Sequence, residues 1–170
     1  MVYFPLLTIY MKPLFSITAL IAGLLLFTSS ASLKKIGSEL DVEEATIDVV
    51  NKYRSKKGLG ELKEIPYMTE LAREHSLKMA QGVRAFGHRG WDDRADQVFD
   101  NIEVEMVAEN VAFNKGYDDP ENQALKGWLA SRTHKENILN EDFDITGVGV
   151  SQAEDGTFYF TQIFASYWEE

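Results

Sequence analysis

Beyond the first thirty or so residues, apolar positions fall into two kinds of spacing. From Asp41 onward, Val42, Ala45, Val49, Val50 and Tyr53 recur at three- and four-residue intervals. Gly58 follows Lys56-Lys57, so the pattern predicts a helix that stops there. After Pro66 the stretch Tyr67 to Gln81 places Leu71, Ala72, Ser76 and Met79 along one stripe, with Gly82 beyond its end, which predicts a second helix. Gly87-His88-Arg89-Gly90 breaks the pattern, Trp91 to Ile102 reads as a shorter third helix, and Val107 to Phe113 is apolar and β-branched enough for a strand. A helical pattern returns from Asn122 to Leu139 through Leu125, Trp128, Leu129 and Ile138, with a bend expected near Thr133. The period then becomes two: Ile145, Gly147, Gly149 and Ser151 alternate with Thr146, Val148 and Val150, and Thr157 to Phe164 repeats the alternation after Asp155-Gly156. That is a hairpin signal. Helices first and a hairpin last predict an α+β fold, with helices packed on a small sheet.

The beginning of the chain follows neither pattern. Met1 to Ala31 holds no acidic residue, and Leu14 to Phe27 is a nearly unbroken apolar run that follows Lys12 and ends at Ser29-Ser30-Ala31. A charged flank, an apolar stretch and small residues define an export signal, with cleavage expected after Ala31 and Met11 as an alternative start. An uncleaved anchor is the other reading, because extending the run to Leu33 gives it about the length that spans a bilayer. Either way the remainder is expected outside the cytoplasm, secreted or periplasmic, and after cleavage it is expected to have no stable membrane association. Residues 32–40 read as a short polar leader and 41–170 as one domain, long enough to bury about two thirds of its unfolded surface.

Composition narrows the chemistry. The chain has no cysteine, so disulfides, cysteine metal sites and thiol nucleophiles are excluded. It has 27 Asp and Glu against 17 Lys and Arg, for a formal net charge of −10. All the acidic residues lie beyond residue 31, and Lys12 lies before it, so residues 32–170 carry one negative charge more than the whole chain. Such a surface repels phosphate backbones, and nucleic acid is not an expected partner.

Three histidines are candidates for chemistry. His75 lies mid-helix in EHSLKM and reads as structural, solvated or half-buried. His88 follows Phe86-Gly87 and precedes Arg89-Gly90, on a turn from which a side chain projects into a cleft. Glu109 sits in the apolar stretch VAENVAF, on the same strand parity as Val107 and Val111, where a carboxylate needs a cation, a metal or several donors to offset its desolvation. His134 shares a helical face with Asn137 and Ile138. Asn110 and Asn137 are suited to bonding backbone groups at bends, which fixes the segments carrying Glu109 and His134.

In order along the chain, FGHRG, VAENVAF, WLASRTHKENIL, TGVGV and YFTQIF resemble the successive signatures of the CAP superfamily, the cysteine-rich secretory, antigen 5 and pathogenesis-related group. The resemblance covers about residues 45 to 165. It implies an α-β-α sandwich with a small antiparallel sheet between helices and a central cleft where His88, Glu109 and His134 converge with Gln162 close by. It also implies structural roles for Asn110, Trp128, Asn137 and the TGVGV strand. Departures are Ala108 where the family usually has Gly, Arg132 where bacterial members often have Pro, and Phe99 where eukaryotic members carry a second Glu.

Two imidazoles and a carboxylate suit a divalent cation such as zinc, with His88 and His134 as ligands. Alternatively, Glu109 fixes one imidazole for general acid–base work, although no GxSxG and no cysteine supplies a nucleophile. Three readings follow: a binding module for a small ligand, a cell-wall fragment, a lipid or a peptide; a hydrolase, metal-dependent or assisted by His and Glu alone, using His88, Glu109 and His134; and a structural extracellular domain without catalysis.

Overall fold

The structure is a computed structural model that describes residues 38–167. The export signal, its cleavage point and most of the polar leader lie outside the described residues. The end of that leader does not: residues 38–40 already belong to helix α1, which is described over 38–55. There follow β1 (Lys63–Glu64), α2 (Pro66–Ala80), α3 (Trp91–Asn101), β2 (Val104–Asn114), α4 (Pro120–Ala130), α5 (Arg132–Leu139), β3 (Ile145–Gln152) and β4 (Phe158–Tyr167). The long helical stretch expected between Asn122 and Leu139 is two helices, because Ser131 leaves the helical region (φ −93, ψ 129) two residues before the expected bend at Thr133.

The strands form one sheet in the order β1-β3-β4-β2. β3 and β4 pair antiparallel as expected, and so do β2 and β4. β1 is an addition: two residues pairing parallel with Ile145 and Thr146, so the sheet is mixed rather than purely antiparallel. β2 therefore forms one outer edge of the sheet.

Alternation along the strands builds two cores. Val104, Ile145, Ile163 and Ala165 pack against Met68, Leu71 and Ala72 of α2 and Val98 of α3. Val148, Val150, Phe160, Phe164 and Ala112 pack on the other side against Val50 of α1, Ala124 and Trp128 of α4 and Ile138 of α5. The result is helices, sheet, helices. The TGVGV strand explains how tightly α2 seats, because a Cβ at Gly147 would meet the Thr69 backbone nitrogen at 2.2 Å and one at Gly149 would meet that of Arg73 at 2.0 Å. Only glycine admits a helix backbone that close.

Charged residues hold α1 in place. The stripe expected through Val42, Ala45, Val49, Val50 and Tyr53 is rotated, and Glu43, Thr46, Val50 and Arg54 are the buried positions. Where β1 ends, the outer edge of β3 is capped by α1 carboxylates, with Val150 N donating to Glu43 Oε1 (2.9 Å) and Gln152 N to Glu39 Oε1 (2.6 Å). Arg54 donates to four carbonyls, those of Gly60 (2.8 Å), Ile138 (2.9 Å), Asn140 (2.8 Å) and Phe143 (2.8 Å). It thereby ties α1 to the end of α5.

Candidate functional site

The turn that carries His88 is held from three sides. His75 Nε2 donates to the Gly87 carbonyl (2.8 Å), Arg84 Nη1 to the Arg89 carbonyl (2.8 Å), and Arg94 Nη1 to the Gly90 carbonyl (3.0 Å). Trp91 N closes the turn on the His88 carbonyl at 2.9 Å. Gly90, at φ 76, takes the left-handed conformation that starts α3, and a Cβ there would collide with the Arg84 guanidinium. His75 is thus neither solvated nor half-buried, as its sequence context suggested, but buried (1% exposed). Burial, and then the nearby Arg94 charge, push its imidazole pKa down, which keeps Nδ1 bare; that nitrogen has no protein partner.

Glu109 faces the same side of the sheet as Val107 and Val111, under this turn. Its buried carboxylate is engaged at both oxygens: Arg94 Nε donates to Oε2 (2.7 Å), Arg94 Nη2 to Oε1 (2.8 Å), and His88 Nδ1 lies 2.9 Å from the same Oε1. A carboxylate held by a guanidinium accepts, so His88 carries a proton on Nδ1 and turns Nε2 outward. The His88 side chain is 45% exposed and that of Glu109 is 1%. Glu109 therefore orients His88 and is screened from direct contact with a ligand. The cation that its setting required is Arg94, absent from the sequence reading. The available signal was an arginine in the apolar stripe of α3, beside Ala95 and Val98, with which it is buried.

His134 reaches the same spot from the other helical layer, around the outer edge of β2. Its Nε2 lies 3.4 Å from His88 Nε2, and the ring centroids are 5.6 Å apart. Asparagines fix that approach: Asn110 Nδ2 donates to the His134 carbonyl (3.0 Å), and Asn137 Nδ2 to Asn110 Oδ1 (2.9 Å), with a longer contact to the Glu109 carbonyl (3.4 Å). Burial, and then the His88 ring, push the His134 pKa down. His88, Glu109 and His134 thus come together from a turn, a strand and a helix.

Gln162 does not join them. It pairs in register with Asn110, not Glu109, and so points to the opposite face of the sheet. There it is buried, with Nε2 donating to Thr146 Oγ1 (3.1 Å), and the expectation that Gln162 joins the three at the ligand site is corrected accordingly. Trp128 is buried in the core of that face. Phe99 is exposed on α3 and supplies nothing to the site. A depression of about 720 Å³ runs along the α4–α5 corner from Leu129 to Asn140, lined by Arg132, Lys135 and Asn137 of the helix that carries His134.

Among the described residues no cluster of three or more His, Cys, Asp or Glu side chains suits a metal ion. Two ligands, however, fit. Tetrahedral zinc with nitrogen ligands at about 2.05 Å separates them by about 3.3 Å, and the two Nε2 atoms are 3.4 Å apart. The same distance is long for a hydrogen bond. A carboxylate on the far nitrogen of His88 is the usual support for a metal-bound imidazole.

This fold and this arrangement place the chain in the CAP family: the model of the cysteine-rich secretory protein family matches residues 47–164. The chain is 31% identical over 129 residues to the uncharacterized membrane protein YlbC of Bacillus subtilis (strain 168), covering 74% of this chain and 35% of that one. It is 30% identical over 123 residues to YkwD of the same organism, covering 71% and 46%. The chain thus spans between a third and a half of the length of these curated relatives. Among solved structures, an extracellular protein containing a SCP domain from Bacillus anthracis str. Ames superposes with a TM-score of 0.61 at 28% identity, over 75% of this chain and 41% of that one. An outer surface protein from Borrelia burgdorferi shares the fold, with a TM-score of 0.62 at 19% identity over 75% and 94%. No helix among the described residues is long and apolar enough to cross a membrane.

Proposed function

We propose that this domain works outside the cytoplasm as a ligand-binding module, and that its ligand seats on the His88–His134 pair, which holds a divalent cation such as zinc. The observation that carries the reading is the 3.4 Å between the two Nε2 atoms, with Nδ1 of His88 engaged by Glu109. The export signal read in Met1 to Ala31 and the extracellular SCP-domain protein of Bacillus anthracis support the location. When bound, the cation would supply a Lewis acid with open coordination positions. The chain's part is to present two lone pairs: Glu109 and Arg94 set the first, and Asn110 and Asn137 set the second.

Isothermal titration of zinc into the full-length protein tests this. One zinc per chain is expected, lost in His88→Ala and in His134→Ala. If zinc fails to bind, or binds equally to both variants, the reading is wrong. The purely structural alternative expects both variants to lose melting temperature and nothing else, and the hydrolase alternative requires turnover that His134→Ala abolishes.

A further inference from the structure

His75 holds the His88 turn from inside the fold, and the first half of that turn has little else to hold it. Among the described residues, Arg84 N donates to the Lys78 carbonyl (3.0 Å) and the His88 carbonyl accepts from Trp91 N (2.9 Å). Between those two points the backbone makes one hydrogen bond, from His75 Nε2 to the Gly87 carbonyl (2.8 Å). Arg84 and Arg94 hold only the second half, at the Arg89 and Gly90 carbonyls. Gly87 stands at φ 135, a conformation that other residues rarely adopt, and so forms a pivot between the two halves. The side chains of the first half add the Phe86 ring, edge-on to Phe113, and the His88 link to Glu109.

His75 Nδ1 is closed off from solvent and has no protein partner. A proton there would create an N–H that nothing accepts, which a buried site resists. The charges around the ring do not offset that cost. Arg84 from the turn and Arg94 from α3 act on it as cations, and the nearby anion, Glu109 of β2, is already held by Arg94. On α2 itself Glu74 and Lys78 pair with each other, and with Asp93 of α3 they line the small cavity that His75 also lines.

We infer that His75 is a proton-operated latch on the His88 turn: in acid the ring takes up a proton by leaving its pocket, releases the Gly87 carbonyl, and lets the first half of the turn carry His88 away from His134 while the rest of the fold stays closed. The latch needs no cation and stands apart from the metal reading above; it adds a condition under which the facing imidazoles part. The closed turn keeps His75 neutral, and the open turn returns it to the ordinary imidazole value of 6.5. Opening therefore takes up one proton, and the open fraction grows about tenfold for each pH unit below that value.

Amide hydrogen exchange in the full-length protein, followed by NMR between about pH 7 and pH 5 and corrected for the intrinsic rate, tests this at Trp91, whose N–H loses its acceptor when the His88 carbonyl moves. The Trp91 amide is expected to gain about tenfold in exchange per pH unit in the acid half of that range, while the amides of Arg84 and of β4 keep their protection. His75→Gln, which can still donate to the Gly87 carbonyl but takes up no proton, is expected to remove the pH dependence. His88→Gln leaves the latch intact and is expected to keep it, which holds the test open if His75→Gln does not fold. A pH dependence that survives in His75→Gln, or disappears in His88→Gln, assigns the opening to another group and overturns the inference. A Trp91 amide that exchanges at one corrected rate across the range, or opens only together with β4, overturns it as well. Zinc titration is untouched by any of these outcomes, so the latch and the metal reading fail separately.

Discussion

Arg94 and Glu109 form a buried two-point pair, Nε to Oε2 at 2.7 Å and Nη2 to Oε1 at 2.8 Å, and His88 hangs from one of those oxygens. Removing one partner of a buried pair strands the other charge. Arg94→Met is therefore expected to lower the unfolding free energy by ~3–5 kcal/mol, measured by urea denaturation. Arg94→Lys is expected to recover little, because a point charge cannot span both oxygens. Glu109→Gln keeps the shape but strands the Arg94 charge in the same way and removes the charge that orients His88, so it too is expected to lose stability, and in the folded fraction zinc affinity is expected to fall by about 10–100-fold. Unchanged zinc affinity in Glu109→Gln would contradict the orienting role.

Arg54 makes a second prediction, on the opposite side of the sheet. Four carbonyls depend on its guanidinium, two of them, Ile138 and Asn140, at the end of the helix that carries His134. Arg54→Met is expected to cost about 4 kcal/mol or more, since hydrogen bonds from a charged donor contribute ~1.5–3 kcal/mol each and the orphaned Ile138 and Phe143 carbonyls stay buried. Any folded variant is expected to bind zinc more weakly. A stability loss below ~1 kcal/mol in the same denaturation experiment would show that water replaces the guanidinium.

Gly149→Ala tests the close seating of α2. Its Cβ would lie 2.0 Å from the Arg73 backbone nitrogen, and backbone cannot swing aside as a side chain tip does. A loss of about 3 kcal/mol or more is expected, read by thermal melting. A variant as stable as the parent would mean that α2 sits farther from β3.

Acid sensitivity follows from two histidines. Burial holds His75 and His134 below the ordinary imidazole value of 6.5, so the fold favours their neutral forms. As pH falls through 6.5 the unfolded chain takes up protons that the fold resists, so stability present above that value drains away between about pH 7 and pH 5. Denaturation at the two pH values is expected to show this loss, and to show less of it in His75→Gln, whose amide can still donate to the Gly87 carbonyl. An identical pH dependence in that variant would remove His75 from the account.

The helices and the hairpin were legible because their apolar residues repeat at 3.6 and 2, and Gly58, Gly82 and the Asp155-Gly156 pair punctuate them. What stayed hidden was set by long-range contacts. Glu43, Arg54 and Arg94 lie on buried helix faces, where a charge read in isolation looks solvated, and each is compensated by groups distant in sequence: the β3 edge and Arg73, the carbonyls near Asn140, and Glu109. β1 is two residues long and carries no period at all. The His88, Glu109 and His134 grouping was readable from the signatures in order. Gln162 was misplaced because nearness along a strand pair says nothing of face until register is known, and that register sets it opposite Asn110.

The central claim is that the facing Nε2 atoms of His88 and His134 are ligands to one cation. Anomalous diffraction at the zinc edge from zinc-soaked crystals measures it most directly. The expected result is a single peak about 2.0–2.1 Å from both nitrogens, absent from His134→Ala crystals. No peak between the imidazoles in well-occupied soaks, or a peak only at other residues, would contradict it.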